Sequence, residues 1–163
     1  MFEAPILSAG DKRETYKELN TCLSGLIDGE PDWLANLANA AALLYQLLPD
    51  INWAVFYRYR SGELVLGPFQ GKPACIRIPE GKGVCGTAAA TREIQIVEDV
   101  GRFPGHIACD TASRSEIVVP IRKDDRLAGV LDIDSPSKCR FDRLDAEGLT
   151  EFVEILNRNI DWP

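Results

Sequence analysis

Two long stretches of the chain repeat their hydrophobic residues with the period of an α-helix. Between residues 11 and 27 apolar side chains recur every three or four positions, which predicts an amphipathic helix. A second helix is predicted between Pro31 and Pro49, because proline suits the first helical turn and stops a helix further along. The segment 144–160 has the same period and predicts a closing helix.

The middle of the chain changes to a period of two, which is typical of β-strands. Alternation over 52–60 and again over 64–69, with a Ser-Gly-Glu turn between them, predicts a hairpin. Other elements are predicted at 72–79, 94–97, 116–122 and 126–135 (strands), 84–93 (short helix) and 99–115 (long loop). Several connections are too short for a crossover helix, so we expect an α+β fold with a mainly antiparallel sheet and helices packed on it.

Composition and charge narrow the class of protein. With 163 residues, 45% hydrophobic, the chain is expected to form a single domain over 1–163. A net charge of −7 opposes binding to nucleic acid or to anionic membranes. No apolar run is long enough for a membrane span, and the first residues lack the features of a signal peptide, so we expect a cytoplasmic protein.

Five cysteines in such a protein are expected to be thiols, metal ligands or redox groups rather than a disulfide framework. The chain has one histidine and no CxxC pair, so neither a metal site nor a cofactor is predicted. Cys22 and Cys139 are interpreted as packing or incidental exposure. Cys75 lies in the predicted strand 72–79 and should point away from its apolar face. That face should be formed by Ala74, Ile76 and Ile78.

Cys85 and Cys109 occupy positions that bear on thiol reactivity. Cys85 lies at a predicted helix start, where the positive end of the helix lowers the pKa of a thiol. Cys109 lies in the predicted long loop. Its neighbours Asp110 and Glu116 should raise its pKa, unless His106 or backbone donors compensate. His106 itself is interpreted as a structural residue, since no triad is visible around it.

Three acids and two aromatic rings are predicted to meet at one end of the sheet. Asp132 and Asp134 are two residues apart on a strand, so both face the same side. Glu116 opens the preceding strand, and antiparallel pairing brings it near Asp134. Trp53 and Tyr57 also share a strand face. Unless these are exposed edge acids and ordinary core rings, they form a pocket for a small ligand with a positive charge and an apolar tip.

Three stretches of the chain resemble a known enzyme family. They are ACIRIPEGKGVCGTA, VEDVGRFPGHIACDTASRSEIVVPI and GVLDIDS, and together they are similar to the free methionine-(R)-sulfoxide reductases. Members of this family are single GAF-type domains that reduce the sulfoxide of the unlinked amino acid. The resemblance implies a GAF fold and a redox trio of Cys75, Cys85 and Cys109. It places the attacking thiol at Cys109 and the resolving thiol at Cys75, with Cys85 as the alternative in either role.

The resemblance also implies a substrate and partners. The substrate-binding residues would be Trp53, Tyr57, Glu116, Asp132 and Asp134. The attacking thiol would become a sulfenic acid, a second cysteine would condense it to a disulfide, and thioredoxin would restore the thiols. GAF domains often form homodimers, which is expected here too. The competing hypotheses are a ligand-sensing GAF module and a thiol-based redox sensor that has no substrate.

Overall fold

A computed structural model describes residues 11–162, and residues 1–10 and 163 lie outside this description. The four helices are α1 (Lys12–Leu26), α2 (Trp33–Leu47), α3 (Gly83–Thr91) and α4 (Arg143–Asn159). The six strands are β1 (Trp53–Arg60), β2 (Glu63–Gln70), β3 (Arg77–Pro79), β4 (Gln95–Val97), β5 (Ser115–Lys123) and β6 (Arg126–Ser135). Within the described range, no helix combines the length and apolar character needed to cross a membrane.

The strands form one six-stranded sheet in the order β3-β2-β1-β6-β5-β4. Every neighbouring pair is antiparallel, as short connections between strands require. Helices α1 and α4 pack against each other, and α2 and α4 contact the sheet. The predicted α+β architecture with a mainly antiparallel sheet is therefore confirmed.

The two faces of the sheet bury different sets of side chains. On one face Phe56 and Leu131 belong to a large apolar cluster with α1, α2 and α4. On the other face Trp53 and Tyr57 belong to a smaller cluster with α3. Asp132 lies on this second side as well, because side chains alternate along β6. The smaller layer therefore holds the aromatic and acidic residues that the sequence pattern places on one face.

The predicted strand over 72–79 is wrong for most of its length. Only Arg77–Pro79 pairs with β2, and one further backbone hydrogen bond, from the Leu66 N–H to the Ile76 carbonyl, ends the ladder. Ile76 is 68% exposed instead of facing the core. The residues before β3 therefore form a loop, and the backbone carbonyl of Cys75 accepts a hydrogen bond from the Tyr57 hydroxyl at 2.9 Å.

A buried carboxylate ties the first helix to the last. Asp145 has no exposed surface and accepts hydrogen bonds from Lys12 Nζ at 2.5 Å, Arg140 Nη1 at 2.9 Å and the Tyr16 hydroxyl at 2.9 Å. It also accepts from the backbone N–H of Asp142, which completes a capping box at the start of α4. Charge and hydrogen bonding at Asp145 thus join elements that are distant in sequence.

Candidate active site

Three buried carboxyl groups lie together at one end of the sheet. Glu116 on β5 is directly opposite Asp134 on β6, and Asp132 shares the same face of β6. Their exposed fractions are 5%, 6% and 4% respectively. Strand alternation and antiparallel pairing bring the three acids together, as the sequence pattern predicts, and they are buried rather than exposed at an edge.

Burial controls the ionisation of these acids. It is the main cause that raises the pKa of Glu116 and Asp132 well above ordinary carboxyl values, and repulsion among the carboxylates adds to it. Burial also raises the pKa of Asp134 to about 6, against the effect of a hydrogen bond from the Ser113 hydroxyl. That hydroxyl lies 2.6 Å from Asp134 Oδ2. Because adjacent buried carboxylates cannot all ionise, the cluster retains protons at neutral pH.

Cys85 lies against the acids in the first turn of α3. Its side chain is buried, and Sγ is 3.8 Å from Glu116 Oε1. Burial, followed by the charges of Asp132 and Glu116, raises the pKa of this thiol well above its ordinary value. The predicted lowering of the pKa is therefore wrong, because desolvation and nearby carboxylates outweigh the field of the helix end.

Cys109 and Cys75 both contact the hydroxyl group of Tyr57. This hydroxyl lies 3.7 Å from Cys109 Sγ and donates a hydrogen bond to the Cys75 carbonyl at 2.9 Å. Burial is the main cause that raises the pKa of Cys109 to about 12, and the charge of Asp132 adds to the effect. At rest Cys109 is therefore a neutral thiol beside a second thiol.

The sequence analysis did not predict a network of polar side chains around Asp110, the residue that follows Cys109. Lys72 Nζ lies 2.9 Å from Asp110 Oδ1, and Asn52 Nδ2 donates to Asp110 Oδ2 at 3.1 Å. Asn52 also donates to the Ser113 hydroxyl at 3.1 Å, and Ser113 in turn donates to Asp134. Asp110 is thus held by Lys72 and Asn52. The density of small polar residues after Cys109 is the signal that the sequence carries for this network.

His106 also reaches the acid cluster, a contact that its interpretation as a structural residue missed. Its Nε2 atom is 3.4 Å from Glu116 Oε2, and the side chain is mostly buried. Burial lowers the pKa of His106, although the charge of Asp134 opposes the shift. The ring is therefore neutral at neutral pH, and its contact with Glu116 is not an ion pair.

A small cavity joins the thiols to the acids. Its polar lining consists of Cys85, Cys109, Glu116, Asp132, Asp134 and Lys82. The volume open to the centre of a water-sized sphere is about 10 Å³, which is room for roughly one water molecule. Ile107 covers it from the loop 103–114 and packs on Gly83, where an added Cβ would lie 3.2 Å from the isoleucine side chain. Any larger ligand requires this loop to move.

Comparisons with known proteins identify the family. The GAF domain family matches residues 32–160. The free methionine-R-sulfoxide reductase of Escherichia coli is 53% identical over 148 residues, which cover 91% of this chain and 90% of that protein. The chain belongs to the free methionine-(R)-sulfoxide reductase family. The resemblance in the three sequence stretches, the GAF fold and the assignment to an enzyme family are confirmed.

Two further proteins are similar to this chain over nearly their whole length. Protein YtsP of Bacillus subtilis is 57% identical over 152 residues, covering 92% of this chain and 93% of that protein. The Neisseria meningitidis free methionine-R-sulfoxide reductase, solved in complex with its substrate, has a TM-score of 0.91 and 46% identity. That match covers 96% of this chain and 95% of the other. The similarity therefore extends over nearly the entire domain.

In this member of the reductase family the site residues named from the sequence form two groups. Cys75, Cys109 and Tyr57 make direct contacts with one another. Cys85 and the three acids form the second group, and Cys109 reaches both because it lines the same cavity. Trp53 is fully buried on the same sheet face and packs against Phe69 with ring centroids 5.2 Å apart. Neither Trp53 nor Tyr57 lines the small cavity. Their role in binding the substrate therefore stays a prediction.

Proposed function

We propose that this protein reduces free methionine-(R)-sulfoxide to methionine in the cavity between its thiols and its acids. The observation that carries the proposal is the position of Cys109, which shares the Tyr57 hydroxyl with Cys75 and lines a cavity with three buried carboxyl groups. The activity named for the relatives supports it. A ligand-sensing module would need the pocket but not a second thiol beside the first, and turnover of a sulfoxide distinguishes the enzyme from a thiol-based redox sensor.

The acids suit the charged end of a free amino acid. Asp132 Oδ1 and Asp134 Oδ1 are buried and have no hydrogen-bond partner, and such oxygens are costly unless a ligand satisfies them. The ammonium group of methionine sulfoxide supplies both charge and donors. A methionine inside a peptide has no ammonium group there, so the site should select the free amino acid. Trp53 and Tyr57 are proposed to hold the apolar end.

The first chemical step transfers the sulfoxide oxygen to Cys109. A carboxyl group of the cluster protonates the sulfoxide oxygen, which weakens the bond between sulfur and oxygen. Cys109 loses its proton to the cluster, and the products are methionine and a Cys109 sulfenic acid. The thiol sulfur is oxidised by two electrons and the substrate sulfur is reduced by two. One proton moves from the thiol to the transferred oxygen, so the balance closes.

The second step forms a disulfide and releases the oxygen as water. The thiol of Cys75 attacks the sulfenic sulfur of Cys109, which is its direct neighbour. Thioredoxin then donates two electrons and two protons by thiol exchange and regenerates both cysteines. Cys85 stays the alternative resolving thiol, although it lies against the acids.

We also propose that the protein is a single-domain homodimer and that it acts in the cytoplasm.

A coupled assay with stereochemical controls tests the function. The purified protein is mixed with thioredoxin, thioredoxin reductase and NADPH, and with free methionine-(R)-sulfoxide, its S epimer or a peptide-bound sulfoxide. NADPH oxidation is expected with the free R epimer alone, since only it presents both the ammonium group and the correct oxygen. Absence of turnover with every sulfoxide, by a folded and reduced protein, would overturn the proposal in favour of a sensor.

The ion pair between Lys72 and Asp110 is expected to assist disulfide formation. Lys72 is three residues before Cys75 and Asp110 is adjacent to Cys109, so the pair joins the two segments that carry these thiols. Lys72→Met should slow formation of the disulfide on the order of tenfold, because small misplacements of reacting groups are costly. Methionine release in the first turnover should not change. Quenched single-turnover reactions measure both steps.

Lys72→Arg provides the matched control for this variant. It keeps a cation that can reach Asp110 and should restore most of the disulfide rate. Equal disulfide rates in Lys72→Met and the unsubstituted protein would show that the ion pair has no part in bringing the thiols together. A parallel loss of methionine release would instead point to general damage to the site.

A further inference from the structure

Three donor groups around the cavity have the spacing of a metal site. The Sγ atom of Cys85 and a carboxylate oxygen from each of Glu116 and Asp132 all lie within 4.8 Å of one another. In a tetrahedral zinc site, bonds of about 2.0–2.3 Å place neighbouring donor atoms roughly 3.3–3.7 Å apart. A contraction on the order of 1 Å would therefore bring these three atoms to one ion.

Further observations point to a ligand at this place. Asp134 belongs to the same cavity but not to the trio, and its Oδ1 atom is buried without a hydrogen-bond partner. Asp134 is 6% exposed. Asp132 Oδ1 is also buried and unpartnered. The cavity itself has room for roughly one water-sized particle, so a single ion fits it without movement of Ile107.

We propose that the cavity binds one Zn²⁺ ion through Cys85, Glu116 and Asp132, and that this ion excludes the substrate. The ion displaces the protons that Cys85 and the acids carry at neutral pH and releases them to solvent. The resulting thiolate with two carboxylates is a mixed sulfur and oxygen donor set, which favours zinc over magnesium or calcium. His106 lies beside Glu116 and can hold it in place. The ion occupies the acids that would otherwise bind the substrate ammonium, so metal binding inhibits turnover. The claim that the ion competes with the substrate rests on the proposed function, whereas the metal site itself does not.

The test uses a protein from which Cys109, the other thiol that lines the cavity, and the nearby Cys75 have been removed. In Cys75→Ser/Cys109→Ser, Cys85 is the cavity thiol that remains. Co²⁺, a spectroscopic substitute for Zn²⁺, is titrated into this variant. We expect a sulfur-to-cobalt charge-transfer band that saturates at one equivalent and disappears when Zn²⁺ is added. Absence of the band would overturn the proposal.

Substitutions at the donors identify the site. Adding Cys85→Ser to the double variant should remove the band, whereas Glu116→Gln should keep it but weaken binding at least about tenfold. Adding Cys22→Ser and Cys139→Ser should leave the band unchanged, because these cysteines lie outside the cavity. A band that survives Cys85→Ser would place the metal on another thiol and overturn the assignment. Far-UV circular dichroism checks folding, and Glu116→Gln carries the test if Cys85→Ser unfolds.

Competition with substrate is tested on the same double variant. Saturating free methionine-(R)-sulfoxide should displace the bound cobalt, whereas the S epimer and N-acetylmethionine-(R)-sulfoxide, which has no ammonium group, should displace it less. A Cys85-dependent band that persists under saturating R sulfoxide would overturn the claim that metal and substrate exclude each other. The turnover assay of the unsubstituted protein tests the proposed function separately, since it contains no added metal.

Discussion

Replacing Cys109 with serine is expected to lower kcat/KM for free methionine-(R)-sulfoxide by at least about 10³-fold. Cys109 lines the cavity with the acids and shares the Tyr57 hydroxyl with Cys75. A serine hydroxyl can occupy the same place, but it cannot accept the sulfoxide oxygen as a sulfenic acid. The thioredoxin-coupled NADPH assay measures the loss.

Other cysteine variants separate attack from resolution. Cys22→Ser and Cys139→Ser are the matched controls, because Cys22 packs against the helical core and Cys139 is exposed. Both should keep activity within about twofold. Cys75→Ser should release methionine in a single turnover and then accumulate a Cys109 sulfenic acid, which dimedone traps. A full methionine burst from Cys109→Ser would show that another thiol attacks the substrate.

The protonated state of the Cys109 thiol affects how fast it reacts with oxidants other than the substrate. Burial raises its pKa to about 12, and oxidants react with thiolates far faster than with thiols. In the proposed mechanism Cys109 is the nucleophile, and its protonated state protects it from irreversible oxidation while no substrate is bound. Attack on the sulfoxide requires a proton acceptor within reach, and the acid cluster on the same cavity fills that role. Reactivity is thus tied to the presence of the substrate in the closed site.

Local sequence patterns predicted the parts of the site that depend on strand geometry. Asp132 and Asp134 share a face because side chains alternate along a strand. Glu116 meets Asp134 because the two strands are joined by a short turn. Trp53 and Tyr57 share a face because side chains also alternate along β1. Each of these conclusions depends on neighbours in the chain or on one hairpin.

The parts that failed depend on contacts between distant segments. The predicted strand at Cys75 is confined to Arg77–Pro79, and the Cys75 carbonyl instead accepts a hydrogen bond from Tyr57 on β1. The high pKa of Cys85 comes from burial beside two strands that follow much later in the chain. The network through Asp110 joins Lys72 and Asn52, which have no periodic relation to it. Propensity and periodicity report on neighbours along the chain, so they do not detect such contacts.

The contacts of the buried Asp145 carboxylate also join distant segments, so the sequence pattern did not predict them. Removal of this carboxylate is the substitution from which we expect the largest loss of stability. Asp145→Ala should lower the free energy of unfolding by about 3 kcal/mol or more, which is typical when one partner of a buried ion pair is removed. The change leaves Lys12 and Arg140 without their shared carboxylate and the Tyr16 hydroxyl without its acceptor. Urea unfolding monitored by circular dichroism measures the difference.

A neighbouring exposed acid on the same helix provides the control for Asp145→Ala. Glu147 pairs with Arg13 and Arg143 at the surface of α4, and exposed pairs contribute about 0–1 kcal/mol. Glu147→Ala should therefore change stability by no more than about 0.5 kcal/mol, although it breaks as many ion pairs. Equal stability losses in the two variants would contradict the assignment of Asp145 as the tie between α1 and α4.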